Sequence, residues 1–186
     1  MRRPRKPARP FDQTALRDLA LSYAARFATS AAKLEAYLLR KIRERGIAEG
    51  EELDVRAIVE RLVELQYVDD EAYARARSGS LLRRGYGARR VEETLRHSGI
   101  AADLREDIAP SDFARREAAI RLAQKRGFGP FAKLAVDPDK REKHIAAMAR
   151  AGHDFAAARF IVEATSEDQL NQWLSEAADE EDRTQW

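Results

Sequence analysis

The chain has no cysteine among its 186 residues, so neither a disulfide framework nor a thiolate-held metal is available to it. Glycine (9) and proline (6) are scarce, which removes the usual interrupters of long helices. The three histidines, His97, His144 and His153, show no i, i+4 pair of the kind that holds zinc on a helix. There is no GxxxxGK[ST] loop and no GxGxxG opening from a strand, so no nucleotide site is expected. No apolar run approaches the roughly 20 residues that span a bilayer. The opening MRRPRKPARP is basic without an apolar stretch behind it, unlike a secretory signal. These absences describe a soluble, cytoplasmic, monomeric protein with no metal, no cofactor, no membrane partner and no catalytic grouping, and so not an enzyme.

What is present favours helix. Hydrophobic residues make up 44% and charged residues 35% of the chain, a composition of packed amphipathic helices with solvated faces. The formal net charge of +2 hides a segregation. Arg2, Arg3, Arg5, Lys6 and Arg9 give the first ten residues +5, and residues 166–186 set seven acids against Arg183 for −6. Both ends read as solvated and mobile: a basic flexible arm over 1–11, and an acidic, partly helical tail over 166–186.

Gly46, Gly99 and Gly152 recur every 53 residues, each behind apolar rungs at helical spacing: Leu38 and Ile42, Val91 and Leu95, Ile145 and Met148. Glycine just past the last helical turn is a stop signal, because it enters left-handed backbone without a Cβ clash. Three such stops at one period imply a repeated unit of about fifty residues. Start signals complete the unit: Asp12 or Thr14, Ser30, Asp54, Asp69, Ser111 and Asp137-Pro138 are all N-cap candidates. Ser166 with Gln169 reads as a capping box for a last helix. Val55, Ile58, Val59, Leu62 and Leu65 form one apolar stripe, and no segment alternates like a strand. The fold class is therefore all-α: three tandem three-helix repeats at 12–66, 67–109 and 110–165, packed end to end into an elongated array that can curve.

Two breaks interrupt the helices, Gly85-Tyr86-Gly87 and Gly127-Phe128-Gly129-Pro130. Their architectural reading is a turn with an aromatic wedge. The functional reading is that the first turn presents cations. Between Arg75 and Arg96 there are seven arginines against Glu92 and Glu93, a local +5. Arg75, Arg77, Arg83, Arg84, Arg89, Arg90 and Arg96, with Tyr86, are the candidate partner- or nucleic-acid-binding residues, since planar guanidinium groups suit phosphate and carboxylate. Arg89→Glu is the natural probe. The acidic run Asp69-Asp70-Glu71 resembles a metal site but sits where a helix starts, which assigns it to capping and dipole compensation.

SAAKLEAYLLRKIRERG, LVELQYVDDEAYARA and RRGYGARRVEETLRHSGI, in this order, resemble the RecX family of RecA regulators. The likeness runs over about residues 15–165. Gln66-Tyr67-Val68-Asp69-Asp70 followed by Tyr73-Ala74, and the Arg-Gly-Tyr-Gly break, are its most distinctive parts. The resemblance implies three three-helix repeats and a partner, the RecA filament on single- or double-stranded DNA, bound within its helical groove. It also implies inhibition of filament growth, strand exchange, ATP hydrolysis and co-protease activity in DNA repair and recombination. Two features depart from the family pattern: the longer loop after Gly127-Phe128-Gly129-Pro130, and the acidic tail. A stand-alone helical DNA- or RNA-binding module is the alternative reading of the same basic helices.

Overall fold

A computed structural model describes residues 9–134 and 136–184. Its described residues form ten α-helices: α1 (Gln13–Ala24), α2 (Ala31–Arg45), α3 (Val55–Glu64), α4 (Asp70–Arg83), α5 (Ala88–His97), α6 (Ala102–Asp107), α7 (Asp112–Arg126), α8 (Pro138–Arg150), α9 (Phe155–Glu163) and α10 (Glu167–Thr184). A single 3-10 turn, Gly129–Phe131, follows α7. No strand occurs among them; the one β-type contact is an isolated bridge between Phe11 and Ile47.

The starts are where the side-chain chemistry demands. Asp12, Ser30, Asp54, Asp69, Ser111, Asp137, Asp154 and Ser166 each accept a backbone N–H three residues ahead, satisfying donors that have no partner within the first turn. The last cap differs slightly from a capping box. Gln169 reaches back to the N–H of Thr165, one residue before Ser166.

The chain forms two compact units: residues through Tyr73 together with Ser98–Ile100, and Ala74–His97 together with the chain from Ala101 onward. In the first, α1, α2 and α3 bury Leu16, Ala20, Leu34, Leu38, Val55, Ile58, Val59 and Leu62 in one core. Phe11, which its position in the basic stretch assigns to a mobile arm, is 1% exposed in that core. It is pinned by backbone bonds from Phe11 N–H to Gly46 O and from Ala48 N–H to Phe11 O. Arg2, Arg3, Arg5 and Lys6 lie outside the described residues. Leu65 leaves the apolar stripe: α3 stops at Glu64 and Gln66 takes a φ of 58°, so Leu65 turns out to 47% exposure.

In the second unit, α7, α8 and α9 surround Ile120, Leu122, Phe128, Ile145, Met148 and Ile161. The C-terminal segment is not a solvated tail. α10 buries Leu170 and Ala177 and packs Trp173 and Leu174 on this core. Glu181 accepts the N–H of Phe113 at the start of α7, at 2.7 Å. Arg116 donates to the carbonyl of Trp173 and lies 4.8 Å from its ring centre.

The periodic glycines mark a repeated close approach. In the first unit, a Cβ on Gly99 would fall 2.2 Å from Ala32 Cβ, at the start of α2, and the Ser30 hydroxyl donates to the carbonyl of Ser98. In the second, a Cβ on Gly152 would fall 2.5 Å from Arg90 N, at the start of α5, and Gly87 N–H donates to the carbonyl of Ala151. Ser98 and Ala151 are 53 residues apart, as are Gly99 and Gly152, so one contact is built twice. Gly46 has nothing within 4 Å, so it stops its helix without entering such a contact.

Gly79 and Gly87 separate helix propensity from close approach. Gly79 lies inside α4, and an added Cβ meets only the flexible tip of Arg83 at 3.1 Å. Gly79→Ala should stabilise by roughly 0.5–1 kcal/mol. At Gly87 the added Cβ would sit 2.3 Å from the carbonyl carbon of Gly152, and Gly87→Ala should destabilise by about 1–3 kcal/mol. Urea midpoints of the two variants should move in opposite directions; parallel shifts would contradict the junction.

Candidate functional site

Both sides of the Gly85-Tyr86-Gly87 turn are held by backbone. Tyr86 N–H donates to Leu81 O as α4 ends, and Gly85 takes a φ of 85°. Gly87 and Arg89 donate their N–H groups to Ala151 O and Gly152 O, which satisfies the start of α5 without a side-chain cap. The His153 ring closes the arrangement. It is 5% exposed, and its Nε2 lies 3.0 Å from Gly85 O; a carbonyl partner requires Nε2 to carry the proton. Burial of the ring pushes its pKa below the ordinary histidine value, against the opposing effect of the Gly85 carbonyl. His144, stacked on Phe128 at 4.2 Å, is also lowered by burial. His97 bonds the carbonyl of Glu93 in its own helix. Among the described residues no group of histidines and carboxylates is arranged to hold a metal.

The acidic run resolves into capping. Asp69 accepts Ala72 N–H in its own helix, and Asp70 accepts Ala31 N–H at the start of α2, both at 2.8 Å.

The turn sorts the candidate residues. Arg84, Arg89, Arg90 and Arg96 are exposed and Tyr86 is half-buried. The Arg84 guanidinium lies over the Tyr86 ring at 5.3 Å, a cation–π contact. Arg84 and Tyr86 line a cleft of 300 Å³ with Lys125, Arg126 and Arg150. Arg89, Arg90 and Arg96 line a second, of 460 Å³, again with Arg150. Arg150 thus joins two basic clefts into one track. The acids on its walls are Glu92 and Glu93, with Glu93 paired to Arg90 at 3.0 Å. Arg75, Arg77 and Arg83 are exposed on α4 and line neither cleft.

Arg89 also works structurally, since its Nη2 donates to Ala149 O at the end of α8, at 2.6 Å. Substituting it would therefore disturb the junction as well as the charge. Lys125, Arg126 and Arg150 escape sequence reasoning because each sits near a helix C-terminus, where a cation is explained by the macrodipole; only the folded junction sets them beside Arg84.

With this geometry in place, similarity to known proteins becomes specific. A family model described as RecX, second three-helix domain, matches residues 69–107, the stretch of α4, α5 and α6. A regulatory protein RecX of Myxococcus xanthus is 32% identical over 171 residues, covering 87% of this chain and 91% of that protein. The chain belongs to the RecX family. A second RecX regulatory protein, from Deinococcus radiodurans, is 36% identical over 149 residues, 79% of this chain and 68% of that one. The crystal structure of RecX from Lactobacillus salivarius superposes with a TM-score of 0.63 at 18% identity, covering 88% of this chain and 97% of that chain. This is the all-helical RecX fold with its three-helix domains, in a family of regulatory proteins. No helix among the described residues is long and apolar enough to cross a membrane.

The buried His153 bonds the turn that precedes the basic clefts of this RecX-family chain. A base whose folded pKa lies below its ordinary value contributes stability that is complete above pH 6.5 and is lost as pH falls from there toward the lowered folded value. Between pH 7.5 and 5 the melting temperature should fall for the native chain. His153→Gln retains an N–H donor for Gly85 and cannot titrate, so its decline should be smaller. Equal declines would remove His153 as a source of the acid sensitivity.

Proposed function

We propose that this protein is a non-enzymatic, cytoplasmic regulator that binds the RecA–DNA filament as a monomer and lowers RecA activity in DNA repair and recombination. Its repeats are 12–66, 67–109 and 110–165, and the second supplies most of the binding surface. Membership of a family of regulatory proteins supports the class of function. The observation that carries the mode of binding is the shared position of Arg150, which links Arg84 and Tyr86 to Arg90 and Arg96 along one exposed surface.

Guanidinium groups spaced along a surface suit a phosphate backbone, where each takes two acceptor oxygens. Such contacts position a protein on a polymer without reading its sequence, which fits a regulator of a filament assembled on any DNA. Arg75, Arg77 and Arg83, on α4, add charge that steers the encounter and is screened by salt. An inhibitor lying across successive filament subunits stops growth and hydrolysis without any chemistry of its own.

The same track suits a stand-alone nucleic-acid-binding module, and affinity for naked strands separates the two readings. The deciding assay follows RecA-driven ATP hydrolysis on single-stranded DNA while this protein is added below the RecA concentration. Hydrolysis should fall, and the paired substitutions Arg84→Glu and Arg150→Glu should weaken the effect by about tenfold or more. The log–log salt slope of filament binding should drop by about one for each phosphate no longer neutralised. These positions are better probes than Arg89, which anchors α8. Undiminished hydrolysis together with tight binding to bare DNA at physiological salt would transfer the assignment to the stand-alone module.

A further inference from the structure

The first unit carries a row of aromatic rings along α1 and α2. Tyr23 stacks on Tyr37 with ring centres 4.1 Å apart and planes 22° from parallel. Phe27, just past the end of α1, packs against the same Tyr23 ring at 5.1 Å, with its N–H bonded to Tyr23 O. Tyr23 and Tyr37 are half-buried against the core of the unit, whereas Phe27 is 56% exposed. At Tyr37 the row meets cations: Arg40 lies 5.3 Å and Lys41 5.9 Å from the ring centre. All of these residues belong to one compact unit.

Neighbours on one helix face are three and four residues apart. Around Tyr23 and Tyr37 the charged residues at that spacing are Arg26, Lys33, Arg40 and Lys41, with no acid among them. Asp18, five residues before Tyr23, and Glu35, two before Tyr37, fall on other faces of their helices. Glu44 pairs with Arg40 at 2.7 Å and with Lys41 at 2.6 Å. The Arg40 and Glu44 side chains are 51% and 44% exposed, a setting in which an ion pair is weak and exchanges for another anion. Lys33 turns to the ring and hydroxyl of Tyr73. Arg26 is exposed and forms no ion pair among the described residues. Four cations against Glu44 therefore border an aromatic row that ends in an open ring.

A row of rings continues favourably into another flat π surface, and cations beside it suit phosphate. A single-stranded nucleic acid supplies both at once, whereas a duplex keeps its base faces within its own stack. An acidic peptide would use the charge and leave the Phe27 ring uncovered. A lipid surface would need aliphatic side chains beside the cations, and at this spacing Ala20 and Leu34 are fully buried and Leu19 packs on the core. We propose that the Phe27–Tyr23–Tyr37 row is a stacking site for an unpaired base of a single-stranded nucleic acid. The base covers the exposed Phe27 ring, and the adjoining phosphates take the cations that border the row. This site lies in the first unit and the basic track in the second, so the assignment holds whether or not that track engages a filament.

The test uses the full-length protein with 13C in its aromatic rings. The probe is a short oligothymidylate, compared with an abasic strand of equal length and with a blunt duplex. The oligothymidylate should shift the Phe27 ring signals saturably. The abasic strand keeps every phosphate, yet it and the duplex should each bind here about tenfold more weakly or worse, because base–aromatic stacking is lost. Phe27→Leu keeps an apolar side chain without the ring; read from the Tyr23 and Tyr37 signals, it should weaken the oligothymidylate about tenfold. Phe27→Trp should retain binding. The paired variant Arg84→Glu and Arg150→Glu, which disables the basic track, should leave the Phe27 shifts in place. An intact Phe27 response beside undiminished RecA hydrolysis would uphold the stacking site and remove the filament reading alone. Equal affinity for the abasic strand or the duplex, unchanged binding in Phe27→Leu, loss of binding in Phe27→Trp, loss of the Phe27 shifts with the track, or no saturable shift at all would each overturn the assignment.

Discussion

One kind of contact recurs, once inside each unit: a carbonyl just past a helix receives a donor from the segment that opens an earlier helix, at a distance only glycine permits. Ser98 receives the Ser30 hydroxyl beside Gly99, and Ala151 receives Gly87 N–H beside Gly152. Helix starts have spare N–H groups and helix ends have spare carbonyls, so a carbonyl brought to a helix start gains a donor that its own helix cannot supply. The requirement is that two backbones meet almost at van der Waals contact, and a methyl group on Gly99 or Gly152 would overlap its neighbour. The glycine period of 53 residues is therefore a packing period. Helix termination alone would explain Gly46, which faces open space, but not the tightness at the other two.

The candidate surface follows from that contact. The turn after α4 is fixed by Gly85 backbone on one side and by Ala151 and Gly152 on the other, which leaves Tyr86 half-buried with Arg84 on its face. Arg89 uses its guanidinium to close the junction, so the track draws its exposed cations from Arg84, Arg90 and Arg96 and from those arriving on α7 and α8. Architecture and charge are two uses of one turn: the glycines bring the backbones together, and the arginines between them are aligned as a consequence.

Much of this is legible in the sequence because it is local. A cap is read from one side chain and three residues of chain, and every expected N-cap from Ser30 to Asp137 carries its helix. A stop glycine and an apolar rung are equally local. Misreadings arise where an average conceals a pattern. Seven acids make the last segment look solvated, yet Leu170, Trp173, Leu174 and Ala177 stand at i, i+3, i+4 and i+7, the stripe of a packed helix. Phe11 is hidden by the five cations before it, although one aromatic ring gains more from burial than a short basic stretch opposes. Leu65 fails for the opposite reason: periodicity extends past the residue where the helix ends. The convergence of Lys125, Arg126 and Arg150 on Arg84 depends on tertiary placement and leaves no linear signal.

The docked α10 sharpens the distribution of charge in its unit. Arg115 and Arg121 of α7 pair with Asp112 and Glu117, and Arg116 is held by Asp112 and by the ring and carbonyl of Trp173. Those cations are consumed by folding. Further along the same helix Lys125 and Arg126 remain exposed and join the Arg150 track. Asp179 and Asp182 of α10 are exposed, so the helix that packs on α7 also presents a surface that repels a polyanion. The C-terminal helix thus sets exposed acids in the same unit as the exposed cations near Arg150.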